Sequence, residues 1–435
     1  MQGGAGNHHA QPLDFAAEAN TAMRFGMLLL ASGAAGYRVI RAVKRCARSL
    51  GFDNADVLVG FNTISCTFHH GEEFRTVVAD VPLPGVNASR IEALETTAHS
   101  MLQSYHTAEE INAALDEIER IPTPRWPLWI ASLAAGLACA GFAVLNQFGY
   151  LAALIVFCSA AVGQFLRGHL HQRHLNVLGI TAFAAAAASS LYLLIAFLVP
   201  DRDVSAGFIA AVLFLIPGFP LFTSFLDLAR FDFTAGIPRL FFAAEIITVT
   251  MLTVSVVAML SGTPAPVAPV REPTLEYYLS GAAASFVAVG CFAILFNSSR
   301  RMALIAAFLG SLANIGRLAL LSLGVRGFLA AFLAALFIGL AGSQAGKYAT
   351  IPRVTVTIPA CVVMIPGTTI YAAVHSFADG DTPAALYAFT DVTLAVLFIA
   401  AGLTVARMLT DRTWAFSRYI DFGKHLDGEI LPINS

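Results

Sequence analysis

Charged residues are scarce in this chain of 435 residues, and their scarcity excludes an ordinary soluble protein over most of its length. Only 12% of the residues are charged, whereas 57% are hydrophobic. Average soluble domains carry about 25% charged residues. The composition therefore indicates that lipid surrounds much of the chain. The formal net charge is only −2 and no dense run of Lys and Arg occurs, so we expect no nucleic-acid partner.

The sequence also lacks the patterns of a metal framework and of a secretory leader. Its six cysteines are scattered without a C-x-x-C spacing, which favours packing roles. The segment HLHQRH, with His169, His171 and His174, has no Cys or carboxylate to complete a ligand set. We therefore predict no metal site and no cofactor. The start, MQGGAGNHHAQPLDF, has no basic segment followed by an apolar core, so we expect residues 1–13 to be disordered and cytoplasmic.

Residues 14–122 have a composition typical of a small soluble domain. The predicted elements are a helix, one bent strand or two strands, a further strand and two helices: Asp14–Leu50, Ala55–Phe68, Phe74–Val81, Ala88–Tyr105 and Thr107–Arg120. Thr107 followed by Glu110 is a capping-box signal for the last helix. We therefore predict a cytoplasmic α/β domain. It contains no recognisable arrangement of a nucleophile with a base, which argues against an enzyme.

Beyond Ile121 the chain is predominantly apolar, and we predict a mostly α-helical membrane protein with ten transmembrane helices. Each apolar stretch is long enough to cross about 30 Å of hydrocarbon. The predicted spans are 128–146, 149–166, 175–199, 205–226, 238–260, 277–297, 301–322, 326–345, 354–376 and 385–408. With a cytoplasmic N-terminus, the inner loops contain eight Lys or Arg residues and the outer loops three, which fits the positive-inside rule. Residues 411–435 are then a cytoplasmic tail.

Two apolar segments, VLFLIPGFPLFTSF and CVVMIPGTTIYAAV, are interrupted by Pro-Gly at the same position. Pro217 and Pro366 lie 149 positions apart, and a shift of about 149–150 also aligns the first five spans with the second five. Because five is odd, a duplicated five-helix unit must enter the membrane from opposite sides. We therefore predict a 5+5 inverted repeat, with residues 123–262 and 263–410 as its two membrane domains.

Paired breaks of this kind indicate a secondary transporter, in which half-helix N-termini point at the substrate near the middle of the membrane. Our predicted substrate-binding residues are those at and near the two breaks: Pro217, Gly218, Thr223, Ser224, Pro366, Gly367, Thr368 and Thr369. The alternatives are packing kinks at the prolines and hydrogen bonds of the hydroxyl groups within their own helices.

Few ionisable residues lie inside the predicted spans. Glu245 and Asp391 each lie roughly 10 Å from a predicted membrane boundary, at 1.5 Å per residue. A charged carboxylate at that depth must be paired, protonated or in contact with water. We predict proton coupling for both, with a structural hydrogen bond as the alternative. Asp227 and Arg230, at the inner end of span four, are interface residues or a gating pair.

Three segments of the soluble part, followed by ten spans, resemble the threonine/serine exporter family. They are LLLASGAAGYRVIRAVKRCARSLGF, ADVLVGFNTISCTF and TAEEINAALDEI. LIPGFPLFTSFLDLARFDFTAGIPRL is the most specific segment, and MIPGTTIYAA resembles the companion five-helix domain. The resemblance points to Pro217, Gly218, Asp227, Gly236, Arg239, Pro366 and Gly367. We predict a gating or structural role for Asp227, Arg230, Gly236 and Arg239. The second half departs from the first, because no Asp follows Pro366 at the spacing of Asp227.

The resemblance implies a multi-pass protein of the bacterial cytoplasmic membrane that exports threonine, serine or similar hydroxy amino acids by proton antiport. Export of a small dicarboxylate such as succinate is the alternative. A different class is a membrane-anchored sensor or enzyme that acts through the soluble domain. The expected partners are the small substrate, protons and membrane lipid, and the sequence leaves homo-oligomerisation open.

Overall fold

The computed structural model describes residues 14–82, 85–102, 104–199, 207–263, 273–415, 420 and 422. The predicted disorder of residues 1–13, the first two residues of the predicted span 205–226 and most of the predicted tail 411–435 lie outside these residues. Within them, the chain forms an N-terminal α/β part followed by apolar helices. The N-terminal elements are α1 (Phe15–Ala31), α2 (Gly36–Ser49), β1 (Asn54–Val59), β2 (Thr63–His70), β3 (Glu73–Asp80), α3 (Ala88–Ser100) and α4 (Ala108–Glu119).

The three strands form one antiparallel sheet in the order β1-β2-β3. Alternate residues of β2, namely Ile64, Cys66 and Phe68, are fully buried, as expected for a sheet with one covered face. Gly26 of α1 lies so close to this face that an added Cβ would be 2.7 Å from the Ile64 side chain. The capping box is confirmed, because Thr107 Oγ1 accepts from Glu110 N–H at 3.2 Å and Glu110 accepts from Thr107 N–H at 3.0 Å.

The prediction of a single helix over Asp14–Leu50 is wrong, since the chain breaks between Ala31 and Gly36. Gly33 adopts a φ of +85°, a conformation that is easy for glycine and strained for other residues. The apolar periodicity continues across the break because both helices cover the same core. Similarly, α3 ends at Ser100, before the predicted Tyr105.

The apolar part contains α5 (Leu128–Leu145), α6 (Tyr150–His171), α7 (Val177–Leu198), a 3-10 helix (Ala210–Leu215), α8 (Gly218–Leu228), α9 (Phe233–Ser261), α10 (Leu275–Leu295), α11 (Arg300–Ser322), α12 (Gly327–Ala349), α13 (Val354–Val362), α14 (Gly367–Ala378), α15 (Thr382–Thr410) and α16 (Arg412–Ala415). In the described ranges, eight helices are long and apolar enough to cross a membrane, and α13 with α14 makes a ninth that is bent by 54°. The predicted fourth span differs, because its first half is a 3-10 helix and only α8 is α-helical.

Helix packing repeats between the two halves of the apolar part. In the first half α5 packs on α6, α7 on α9 and α8 on α9; in the second, α10 packs on α11, α12 on α15 and α14 on α15. The helices α5 and α10 also pack on each other and run in opposite directions. Trp126, just before α5, donates its indole N–H to the Ser298 carbonyl just after α10, at 3.1 Å. Farther along, a Cβ on Gly141 would lie 2.8 Å from the Ala284 carbonyl oxygen.

The N-terminal domain contacts the C-terminal end of α10. Asn297 adopts a φ of +58°, donates its amide to the Val86 carbonyl at 2.8 Å and accepts from the Arg125 backbone at 2.8 Å. The Ala88 backbone donates to the Phe296 carbonyl at 3.0 Å. These bonds fix the end of α10 against the domain.

A buried ion pair stabilises the domain itself: Arg38 of α2 binds Glu95 of α3, with Nη1 and Oε1 2.7 Å apart. Burial opposes the charge of Glu95, but Arg38 and Arg41 outweigh it and hold the pKa of this carboxyl at about 2. The stabilisation from this ion pair is therefore complete above pH 4.5, the ordinary pKa of a glutamate carboxyl. It is lost as the pH falls towards 2.

We predict that Glu95→Gln lowers the stability at pH 7 by about 3 kcal/mol, because it leaves Arg38 buried without its counter-charge. The measurement is thermal unfolding of the purified protein at pH 7 and at stepwise lower pH. The variant should lose less stability than the wild type between about pH 5 and pH 3. Glu72→Gln, at an exposed turn, is the control; an equal effect of both variants would contradict the prediction.

Candidate functional site

The two Pro-Gly segments fold into the same local turn. Pro217 has φ −81° and ψ 63°, and Pro366 has φ −79° and ψ 71°. The N–H of the following glycine donates to the carbonyl of the residue before the proline at 2.9 Å in both cases. This is the inverse γ-turn, centred on the proline. Each turn ends the incoming segment and starts a new helix, α8 or α14.

The two breaks cross each other at their glycines. A Cβ on Gly218 would lie 2.8 Å from Val362 Cγ2, at the end of α13. A Cβ on Gly367 would lie 2.5 Å from Leu213 Cδ2, in the 3-10 helix. The start of each half-helix thus contacts the incoming segment of the other half, and only glycine permits this approach without a shift of the neighbours.

The predicted hydroxyl groups differ between the breaks. Thr223 donates to the Phe219 carbonyl at 2.9 Å and Ser224 to the Leu221 carbonyl at 2.7 Å, so both are bonded within α8. Thr368 instead donates to Asn146 Oδ1, at the end of α5, at 3.1 Å. Thr369 is half-buried next to it. Asn146 is a site residue that the sequence did not indicate, because its partner lies 222 positions away.

A row of aromatic rings closes the space at the start of α8. Phe219 packs edge-on against Phe296 with ring centroids 5.5 Å apart, Phe296 lies 6.2 Å from Phe292, and Phe292 lies 5.7 Å from Phe142. Beside this row lies a small pocket between the N-terminal domain and the membrane helices, lined by Gly33, Phe61, Val86, Phe219, Pro220, Thr223, Arg239 and Phe242.

Asp227, at the end of α8, is completely buried and binds Arg239 of α9, with Oδ2 and Nη1 2.8 Å apart. Arg239 also donates to the Ala34 carbonyl at 3.0 Å, and Asp227 Oδ1 accepts from the Tyr37 backbone at 3.3 Å. The helix α2 has no side-chain cap of its own. A carboxylate from the membrane part therefore caps it, which favours the positive end of the helix dipole. Gly236 allows the tight corner, since a Cβ there would lie 2.9 Å from Leu228.

The first turn of α2 also contacts the second half. The Arg407 guanidinium lies 5.2 Å from the ring centres of both Tyr37 and Trp414, and it pairs with Asp411 at 3.3 Å. Arg230, a predicted gating residue, lies 5.5 Å from the Trp414 ring. Both halves therefore contact one turn of the N-terminal domain. This contact could not be predicted from the sequence, because the residues come from segments far apart in the chain.

Glu245 and Asp391 occupy exposed positions on α9 and α15. In the part of the chain that the structure describes, neither carboxylate forms a hydrogen bond or an ion pair with another residue. The structure therefore does not join these two residues to the crossing breaks.

A membrane protein with two half-helices that begin at crossing Pro-Gly turns has the architecture of a transporter. The chain belongs to the threonine/serine exporter family. A family model described as a putative threonine/serine exporter matches residues 20–261, and a second, for the threonine/serine exporter ThrE, matches residues 281–409.

Individual relatives carry two kinds of transporter name. The chain is similar to the probable threonine/serine exporter of Mycobacterium tuberculosis, with 22% identity over 405 residues, covering 89% of this chain and 75% of that protein. It is also similar to the probable succinate transporter subunit YjjP of Escherichia coli, with 28% identity over 217 residues, covering 49% of this chain and 83% of that protein. No solved structure matches the chain significantly.

We predict that Asp227→Asn destabilises the protein by about 3 kcal/mol, because the buried Arg239 loses its counter-charge and α2 loses a charged cap. Thermal unfolding in detergent measures the change. Asp391→Asn removes the same charge from an exposed position and should have a much smaller effect. Equal melting temperatures for Asp227→Asn and the wild type would refute the structural role of this pair.

Proposed function

We propose that this protein is a secondary transporter that exports threonine, serine or similar small hydroxy amino acids in exchange for protons. The crossing of the two proline-broken helices is the observation that carries the proposal. Broken helices expose backbone polar groups at membrane depth, which is tolerated only where protein or a wet cavity satisfies them. Half-helix N-termini in such a place are suited to a substrate carboxylate.

The proposal includes an inverted repeat in the bacterial cytoplasmic membrane, with the N-terminal domain and the C-terminus in the cytoplasm. The opposite directions of α5 and α10 support it. So do the half-helices, because α8 runs from its break towards the domain, where Asp227 caps α2. In the second half the direction is reversed. The incoming helix α13 begins near the domain, beside Arg353, which binds Thr410, and the half-helix α14 continues away from the domain.

For the proton, we propose Glu245 and Asp391. They lie on the last helix of each half, where a charged carboxylate without a partner is costly in lipid and uptake of a proton removes that cost. In this proposal the N-terminal domain has no catalytic role and provides a further contact to both halves. The alternative substrate is a small dicarboxylate, which the name of the Escherichia coli relative favours.

The test is uptake of labelled threonine, serine and succinate into everted vesicles, with and without a proton gradient. We expect gradient-dependent uptake of threonine or serine. Succinate uptake alone would change the substrate, and absence of uptake of all three by folded protein would refute the proposal.

Gly218→Ala and Gly367→Ala should each lower this uptake about tenfold, because the added methyl group separates the crossing segments and overpacking costs about 1–3 kcal/mol. Gly316→Ala in α11 is the matched control, since a Cβ there has no neighbour within 4 Å. Wild-type uptake by both Gly218→Ala and Gly367→Ala would show that the breaks are not part of the transport pathway.

A further inference from the structure

We propose that the N-terminus of α14, and not that of α8, holds the carboxylate of the transported substrate, and that Asn146, Thr368 and Tyr371 bind its remaining polar groups. This inference rests on the proposed function and assigns the substrate to one of the two breaks.

The first argument is a comparison of equivalent positions on the two half-helices. With the offset of 149, one face of α8 carries apolar residues where α14 carries polar ones. The pairs are Phe219 with Thr368, Phe222 with Tyr371, and Leu226 with His375. Positions at intervals of three and four residues lie on the same side of a helix. Both halves therefore have the break, but the face that carries Thr368, Tyr371 and His375 in α14 is apolar in α8.

The groups opposite these faces differ in the same way. Phe219 packs on Phe296, the C-terminal cap of α10, whereas Thr368 binds Asn146, the C-terminal cap of α5. The two contacts occupy equivalent places in the two halves, so one break is closed by aromatic rings and the other is lined by an amide and a hydroxyl.

The backbone adds a third difference. The first N–H groups of a helix lack partners within that helix and attract anions. In the described residues, neither Thr368 N–H nor Thr369 N–H donates to a backbone carbonyl. At the equivalent of Thr369, α8 has Pro220, which carries no N–H at all. A carboxylate therefore finds two adjacent donors at α14 and one at α8.

An unsatisfied hydroxyl lies one turn farther along α14. Tyr371 is only 1% exposed, and its hydroxyl oxygen has no hydrogen-bond partner in the part of the chain described. A buried polar group without a partner is costly, and a bound ligand would satisfy it. His375 stacks on the Tyr371 ring at 5.3 Å and reaches the exposed Asp379 at 3.2 Å, so the polar face continues to the side opposite the N-terminal domain.

These groups fit a small hydroxy amino acid. Its carboxylate binds the N–H groups of Thr368 and Thr369, its hydroxyl faces Tyr371, and its ammonium group can donate to Asn146 Oδ1. A dicarboxylate would require a second anion site, and none of these side chains is Lys or Arg. The geometry therefore favours a substrate with one carboxylate.

The first test is substrate protection of a cysteine at the site. Thr369→Cys is introduced in a Cys158→Ser background, since Cys158 alone of the six cysteines is exposed. Intact cells are treated with a membrane-impermeant maleimide. We expect modification of this cysteine and at least fivefold slower modification in the presence of threonine or serine. Threoninol, which lacks the carboxylate, should not protect.

Pro220→Cys, at the equivalent position of α8, is the matched variant. Threonine and serine should not protect this cysteine from the external maleimide. Failure of the reagent to modify Thr369→Cys, lack of protection by threonine and serine, or equal protection by threoninol would overturn the assignment.

The second test separates this inference from the proposed function. Thr368→Val and Asn146→Leu should lower threonine uptake at least tenfold, whereas Thr250→Val, whose hydroxyl donates to the Ile246 carbonyl within α9, should not. Wild-type uptake by Thr368→Val and Asn146→Leu would refute the site while the transport function stands. Protection of Thr369→Cys by threonine in a protein that carries no threonine would support the site and refute the transport function.

Discussion

The mutual burial of two proline breaks is the constraint on which the membrane part of this structure depends. A break in a membrane helix exposes backbone groups that lipid cannot satisfy. Here each break is covered by the other half, with Gly218 against Val362 and Gly367 against Leu213. Neither half can supply this cover alone, so the two halves form a single membrane structure. The same crossing brings two half-helix N-termini into one region, an arrangement that is suited to binding an anion.

The N-terminal domain is tied to both halves through the first turn of α2. Asp227 caps this helix from the first half, and Arg407 stacks on Tyr37 from the second. Any movement of one half relative to the other must therefore move this turn or change its contacts with one of the halves. Buried charge pairs such as Asp227 with Arg239 are costly to break, which makes this contact between the domain and the membrane part a defined arrangement.

Composition and local motifs were sufficient to predict much of the fold. The Pro-Gly pairs inside apolar runs located both breaks, because proline has the same local effect in any apolar helix. The capping box located the start of α4 for a similar reason. The break between α1 and α2 was not predicted, since the apolar periodicity continues through Gly33 when both helices cover one core.

Contacts across the fold could not be predicted from sequence. The apolar helices are hydrophobic on every side, so the pattern does not tell which face of α9 or α15 is exposed, and the outward positions of Glu245 and Asp391 came only from the structure. Thr223 and Thr368 both lie within the first two turns after a break, yet only Thr368 bonds outside its helix, because Asn146 lies opposite it.

The most direct test of the crossing breaks as the substrate site is a cryo-EM structure of the full chain with threonine bound. The account predicts density for the ligand against the N–H groups of Thr368 and Thr369, with Gly218 and Gly367 in contact with the opposite half. Ligand density at the start of α8, or a map in which the two breaks do not cross, would contradict it.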